Sequence, residues 1–411
     1  MDLHQVVKSK LCLGCGICTA SGEGIEMGFS KKHGMNIPQL DSHKTYPLGD
    51  NLCPAIGYDI VHEGIELYGS EGSYSMELGN ILSSYAAYAI NSDVIKGASS
   101  GGVMSQLLLF VLEKGIADKV ACTKFIYTEN GPRTNTILTS KLSDILDCQG
   151  SKYCPVDISS FLVDLREFNG KVAFIGTPCQ VAGLRKLQKV VPELKEKVVL
   201  TIANFCGGFK SYKSIQKLSK RHGVRFDQIE YLRFRGGGQP GSLLVYDSFG
   251  KRYEAPYPNY TGYTGYSKIL RCHLCVDATG ELADIACGDA WIDRYIEHKK
   301  QWSIVVGRSK FAREVIEQMC KERVIYCEAL DQSEIIKSQW TNIKSKKIRQ
   351  AARFALYEKL GYEIPKFDGG YSKYVTSMLF ELRVFCSHKF KELLEELGLY
   401  KTLRIILKKR Y

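Results

Sequence analysis

In the middle of the chain, apolar residues come in short runs set off by glycine-rich turns. "NILSSYAAYAI" (80–90) predicts a strand. "GASSGGVMSQLLLFVLEKG" (97–115) predicts a glycine-rich turn leading into an apolar helix that stops at Gly115, and "DKVACTKFIY" (118–127) another strand. A second α/β stretch follows, with strands at "KVAFIG" (171–176) and "KVVLTIANFC" (197–206) around a helix in "TPCQVAGLRKLQK" (177–189). "GSLLVYDSFGKRYEAPY" (241–257) has the pattern of a hairpin around Phe249-Gly250. Strands at 283–291 and 303–309 and a helix at 310–322 complete the middle, and beyond 331 the pattern is mostly helical and basic. Residues 1–70 are Gly-rich with little periodicity. No internal repeat or low-complexity segment interrupts this order. The expected class is α/β: a small module over 1–70, two central units over 75–165 and 166–330, and a helical extension over 331–411.

Composition adds little until the cysteines are considered. A chain of 411 residues with 45% hydrophobic and 24% charged content matches an ordinary soluble protein of two or three domains. The N-terminus "MDLHQVVKSK" lacks the apolar core of a secretory signal, and the longest apolar run, "LLLFVL" (107–112), is far short of a membrane span. A cytoplasmic location is expected, where the fifteen cysteines stay reduced and C-x2-C spacing favours metal ligation over disulfides. The net charge of +12 is concentrated at one end, since residues 331–411 carry 17 Lys/Arg against 9 Asp/Glu. No nucleic-acid module accompanies it, so no nucleic-acid partner is expected. In "LGLYKTLRIILKKRY" (397–411), Leu399, Leu403, Ile406 and Leu407 share one helical face beside five basic residues. That pattern suits either a helix lying on a membrane surface or one packed on its own protein.

"LCLGCGICTA" (11–20) places Cys12, Cys15 and Cys18 at two-residue intervals. Three thiolates on one turn can grip three corners of a 4Fe-4S cubane, and Cys53, followed by proline in "NLCPAIG", is the candidate fourth ligand. Gly14 and Gly16 let the loop wrap tightly. Zinc takes four thiolates too, but zinc knuckles more often pair two separated C-x2-C units than use a C-x2-C-x2-C triad.

Four further cysteines lie at predicted strand ends or beside Gly or Pro: Cys179 in "GTPCQ", Cys206 in "NFCGG", and Cys272 with Cys275 in "RCHLC". Each taken singly fits a buried small hydrophobe; their loops could also converge on one face of a sheet. Together with "CLGCGIC", "GASSGG", "QGSKY", "GTPCQVAGLR", "NFCGGF", "CHLCVD" and "ADIACGDAW", in that order between residue 10 and about 310, they make the chain resemble the beta subunits of coenzyme F420-reducing hydrogenases and dehydrogenases. The plant 7-hydroxymethyl chlorophyll a reductase is a relative of that family. The resemblance implies FAD and a second 4Fe-4S cluster on Cys179, Cys206, Cys272 and Cys275. It also makes 1–70 a ferredoxin-type module, 75–165 the unit with the flavin phosphate turn, and 166–330 the unit with the second cluster and flavin. Cys154 and Cys287 stand in or beside family motifs and are reserve ligands; Cys122, Cys148, Cys320, Cys327 and Cys386 are expected to be buried fillers.

The "GASSGG" turn has a mechanical reading as well. Free amides at a helix N-terminus attract phosphate, Ser99 and Ser100 carry hydroxyls to donate, and Gly101 and Gly102 permit close approach. A plain Ser-capped helix is the alternative from the stretch alone, and the resemblance implies FAD contact. Lys152 is a candidate partner for the flavin, with a solvated lysine as its alternative. Thr177 and Gln180 flank Cys179, and Asp289 and Asp277 are acidic candidates whose structural alternative is a buried acid closing a strand. No Ser-His-Asp or Cys-His arrangement points to hydrolysis. The expected function is a flavin- and iron–sulfur-dependent oxidoreductase working between a one-electron carrier such as ferredoxin and a two-electron substrate, small or lipid-linked. The alternative is an electron-relay subunit that docks on a separate catalytic partner.

Overall fold

The computed structural model describes residues 1–69, 72–237, 240–257, 260, 268–297 and 301–399. Four sheets occur among them. Two are short hairpins, β1 (Glu26–Ser30) with β2 (Met35–Gln39) and β3 (Ser73–Ser75) with β4 (Gly79–Ile81). The main sheet is mixed and eight-stranded. Its members are β5 (Ser83–Ala89), β6 (Lys119–Thr128), β7 (Gly131–Thr139), β8 (Val172–Gly176), β9 (Val198–Asn204), β13 (Ile285–Asp289), β14 (Ser303–Gly307) and β15 (Ile325–Ala329). β10 (Ile229–Gly236), β11 (Ser242–Asp247) and β12 (Arg252–Pro256) form a separate antiparallel sheet.

The main sheet runs β15-β5-β14-β13-β9-β8-β6-β7, with β13, β9, β8 and β6 parallel and antiparallel pairs on both flanks. Its central strands are buried on both faces, which is why they read as near-continuous apolar runs. Side chains alternate accordingly. Ala173, Leu200, Ile202, Ile285 and Val305 face the helices Val103–Glu113 and Lys310–Lys321. Val172, Phe174, Ala203 and Ala286 face the helices Ser159–Glu167 and Pro178–Val190, and the same core runs on into Leu3, Leu11, Ile17 and Leu52 of the N-terminal module.

The extension is tied back to distant parts of the chain. Asp368 accepts from the amides of Val61 and His62 and so caps the helix Ile60–Tyr68, and Tyr58 N–H donates to Lys366 O at 3.1 Å. Lys347 is fully buried in an ion pair with Glu281.

Several expectations change. The 80–90 stretch breaks at Leu82, its first part pairing with β3 and the rest entering the main sheet. The strand β7 carries Pro132, Arg133, Asn135 and several threonines, too polar a run to read as a strand; β6 recruits it by antiparallel pairing across a turn in which Gly131 takes φ +91°. Cys320, near the end of the helix Lys310–Lys321, and Cys327 on β15 form a disulfide, with Cα atoms 6.2 Å apart, within disulfide reach. They are therefore neither fillers nor free thiols, and Cys386 is exposed rather than buried. Of the basic C-terminal helix, 400–411 lie outside the described residues, and no described helix is long and apolar enough to cross a membrane.

Candidate functional site

Cys12 and Cys15 sit on the loop that leads into the short helical segment Ile17–Ser21, and Cys18 lies within that segment, with Gly14 and Gly16 at φ +63° and +80° turning the backbone around them. Cys53 arrives at the end of the helix Pro47–Leu52. The charge of Cys53 acts on each of the other three thiols, so the four share one buried neighbourhood. Burial pushes Cys12 up to about 12 and raises the others, so without a bound cation these thiols keep their protons. Backbone amides point at the sulfurs: Gly14 N–H lies 3.4 Å from Cys12 Sγ, and the amides of Ala55 and Ile56 face Cys53.

The second four come together differently. Cys179 follows the end of β8, Cys206 follows β9, and Cys272 and Cys275 come with the short helix Leu270–His273. Burial, together with the charges of Cys206, Cys272 and Cys275, raises the Cys179 pKa to about 12. Thr177 Oγ1 lies 3.2 Å from Cys179 Sγ, and Gly208 N–H lies 3.3 Å from Cys206 Sγ. Lys346 Nζ lies 3.5 Å from Cys275 Sγ and donates to Asp277 O at 2.6 Å. Burial opposes ionisation of Cys275, but Lys346 and Arg271 pull its pKa below the usual thiol range.

The two sets adjoin. Cys179 acts electrostatically on Cys15. Arg271, fully buried beside Cys272, donates to Pro54 O at 2.8 Å and Ala55 O at 2.9 Å, the two carbonyls that follow Cys53. Neither Arg271 nor Lys346 was a sequence candidate; an arginine and a lysine in helical stretches carry no spacing signal. Among the described residues, no three His, Cys, Asp or Glu side chains converge on a point suited to a single metal ion.

Beside the second set, a cavity of about 300 Å³ opens at the carboxyl ends of β8, β9 and β13. That is where open α/β sheets place their ligands. Ser99, Ser100, Gly102, Lys152, Thr177, Gln180 and Asp289 all line it, as does Cys206. Gly101 is instead packed against the backbone of β5 and β14: an added Cβ would lie 2.6 Å from Ala87 O and 2.8 Å from Ser303 N. The hydroxyls of the turn are already engaged. Ser99 Oγ donates to Arg235 O at 3.1 Å and Ser100 Oγ to Trp302 O at 2.8 Å. The helix Val103–Glu113 has no side-chain cap, so its first-turn amides, rather than the serines, remain available to an anion.

Lys152 is not solvated. Its ammonium donates to the carbonyls of Cys148 and Gly150, at 2.6 and 3.1 Å, and burial lowers its pKa to about 8. Thr177 and Gln180 cap the helix Pro178–Val190, Thr177 N–H donating to Gln180 Oε1 at 2.8 Å. Asp289 pairs with Arg235 at 2.5 Å. Asp277 is the buried loop-closing acid, accepting from the amides of Thr279, Gly280 and Glu281.

Arg235 is the cavity residue that sequence reasoning missed. It is buried against the rings of Tyr257 and Trp291, and its Nη2 finds no acceptor of good geometry among the described residues, with the Tyr153 phenol as neighbour. Cys287 lines the same cavity, while Cys154 is packed beside Tyr212; no thiol of either set acts on them. Cys122 and Cys148 both line the cavity wall; Cys122 is buried in the core, and Cys148, only half-buried, packs against the same core.

Comparison with known proteins points one way. Residues 84–163 match the coenzyme F420 hydrogenase/dehydrogenase beta subunit N-terminal family, and 169–333 match its C terminus. Coenzyme F420 hydrogenase subunit beta of Methanococcus voltae is 28% identical over 262 residues, 62% of this chain and 87% of that protein. Coenzyme F420-dependent sulfite reductase of Methanocaldococcus jannaschii is 23% identical over 303 residues, 70% of this chain but only 43% of that longer protein. A chain of the F420-reducing NiFe hydrogenase complex from Methanosarcina barkeri shares the fold with a TM-score of 0.54 at 21% identity, over 73% of this chain and 99% of that one.

Proposed function

The chain belongs to the coenzyme F420 hydrogenase/dehydrogenase beta subunit family, and from that premise we propose that it is an iron–sulfur flavoprotein oxidoreductase. It passes electrons between a one-electron carrier such as ferredoxin and a two-electron substrate. Cys12, Cys15, Cys18 and Cys53 hold one 4Fe-4S cluster and Cys179, Cys206, Cys272 and Cys275 the other, while FAD occupies the cavity beside Cys206. Cubanes exchange single electrons and a flavin exchanges one or two, which is the chemistry such a conversion needs.

The observation that carries this reading is the contiguity of the three sites. Cys15 of the first set lies near Cys179 of the second, and Cys206 of the second lines the cavity. The reading takes each thiol as the ligand of a separate iron, so it needs no point on which all four converge. The chain's own residues supply the rest. Amides of Gly14 and Gly208 stabilise thiolate charge, Lys346 and Arg271 bring positive charge to Cys275, and the uncapped amides at Val103 with Arg235 Nη2 offer donors to an anionic ligand. The segments then divide the work as 1–70, 75–165 and 166–330 for the first cluster, the phosphate turn and the second cluster.

A second reading rests on the relatives' names, which describe hydrogenase subunits: an electron-relay subunit that acts on a partner. Stable co-purification with a second chain, together with no small-molecule oxidation, favours the relay. Substrate-dependent reoxidation of the isolated chain favours the enzyme. A cytoplasmic place, a small or lipid-linked substrate and membrane contact through 397–411 remain proposals of the same reading.

The test is iron, acid-labile sulfide and flavin content of anaerobically purified protein. About eight irons and one FAD per chain are expected for two cubanes. Zinc without flavin overturns the proposal.

A further inference from the structure

A second pocket, of about 240 Å³, lies between the segment that carries Cys272 and the helix Met378–Glu396. Its wall holds five basic side chains, Lys268, His273, Arg349, Arg353 and His388, against the single acid Glu381. Glu381 is already committed to two of them, Arg349 Nη2 at 2.5 Å and Arg353 Nε at 3.0 Å. Arg353 is further satisfied by the carbonyls of His273 and Ser345 and by Gln350 Oε1.

Lys268, His273 and His388 are left without a hydrogen bond from their side chains to any described residue. The two imidazoles lie 5.3 Å apart. Burial, and then the cations Lys391, Lys268 and Arg353, hold the His388 imidazole below its ordinary pKa. The Lys268 ammonium therefore meets no free carboxylate among the described residues of the pocket wall, and a part-buried cation without a partner is costly. An ammonium and two imidazole N–H groups form a donor set for an acceptor-only oxyanion. The volume is below the roughly 300–1,000 Å³ of sites for drug-sized ligands, which favours a small group.

We propose that this pocket binds a phosphate group, held by the Lys268 ammonium and the His273 and His388 imidazoles. Arg349, Arg353, Glu381 and His388 lie beyond residue 333, where the family match ends, while Lys268 and His273 lie within it, so the extension closes a pocket that the matched region begins. It adjoins the second thiol set through Lys268 and His273, and it requires neither a bound cluster nor flavin.

The experiment is calorimetric titration of the full chain with inorganic phosphate and then glycerol 1-phosphate, at ionic strength held constant with sodium chloride. Saturable one-to-one binding is expected, weakened about tenfold or more by His388→Ala and by Lys268→Gln, the loss of one charge-assisted hydrogen bond in each. Tighter binding of the monoester supports the phosphate of a larger molecule as the natural ligand; equal binding supports free phosphate. Lys268 also lies near Cys206 and Cys272. If its role is only to balance those thiols, neither probe binds saturably, and that result overturns the proposal. Binding that neither variant weakens overturns it as well.

Discussion

The two thiol sets answer one chemical requirement with opposite architectures. The first takes three of its four cysteines from a seven-residue stretch, Cys12 to Cys18, and its geometry is largely a property of that loop. The second collects Cys179, Cys206, Cys272 and Cys275 from the ends of two parallel strands and a short helix, and its loop is clamped from the extension by Lys346 on Asp277 O and Lys347 on Glu281. A local site survives small errors elsewhere in the fold, whereas an assembled site depends on every element that feeds it. Arg271 joins the two by bonding the carbonyls after Cys53 from a position beside Cys272.

The sharpest way to break this contrast is to remove one ligand from each set. Cys53→Ala and Cys275→Ala should each leave about four of about eight irons, and Cys275→Ala should lower the melting temperature more. Loss of all iron from either variant, measured by metal analysis, would show that the sets stand or fall together. Arg271→Met comes next. It leaves buried carbonyls in both sets unpaired, for an expected loss of about 3–5 kcal/mol in urea unfolding, with iron falling at both sites. Loss at the second set alone would deny Arg271 its bridging role.

Glycine substitutions compare the loops directly. Gly16→Ala forces a side chain onto φ +80° and against Asp157 and Ser159, and Gly208→Ala does the same at φ +106° against Lys268 and Cys272. Each should cost about 1–3 kcal/mol and deplete iron only from its own set. Equal depletion of both sets by Gly16→Ala would contradict the local character of the first.

The smallest effect belongs to the cavity. Lys152, lowered to about 8 by burial, gives up its proton before the unfolded chain does. Between that value and about 10.5 the unfolded state therefore binds more protons, and the contribution of Lys152 makes stability rise with pH. Lys152→Met should flatten the rise by about 1 kcal/mol between pH 7.5 and 9; an unchanged slope in urea midpoints would refute the depressed pKa.

The alternation of apolar runs and glycine turns was enough to locate β5, β6, β8, β9, β13 and β14 and the helices Val103–Glu113, Pro178–Val190 and Lys310–Lys321; β8, β9 and β14, buried along most of their length, read as near-continuous apolar runs. The C-x2-C-x2-C triad was equally legible, since its partners are neighbours in sequence. What could not be read are relations between distant residues. The polar β7 becomes a strand through its pairing with β6, and the hydroxyls of Ser99 and Ser100 are engaged by carbonyls more than a hundred residues away. Arg235, Arg271 and Lys346 carry no local pattern at all. Their roles come from the burial of charge, whose cost is met only where folding brings acceptors within hydrogen-bond reach.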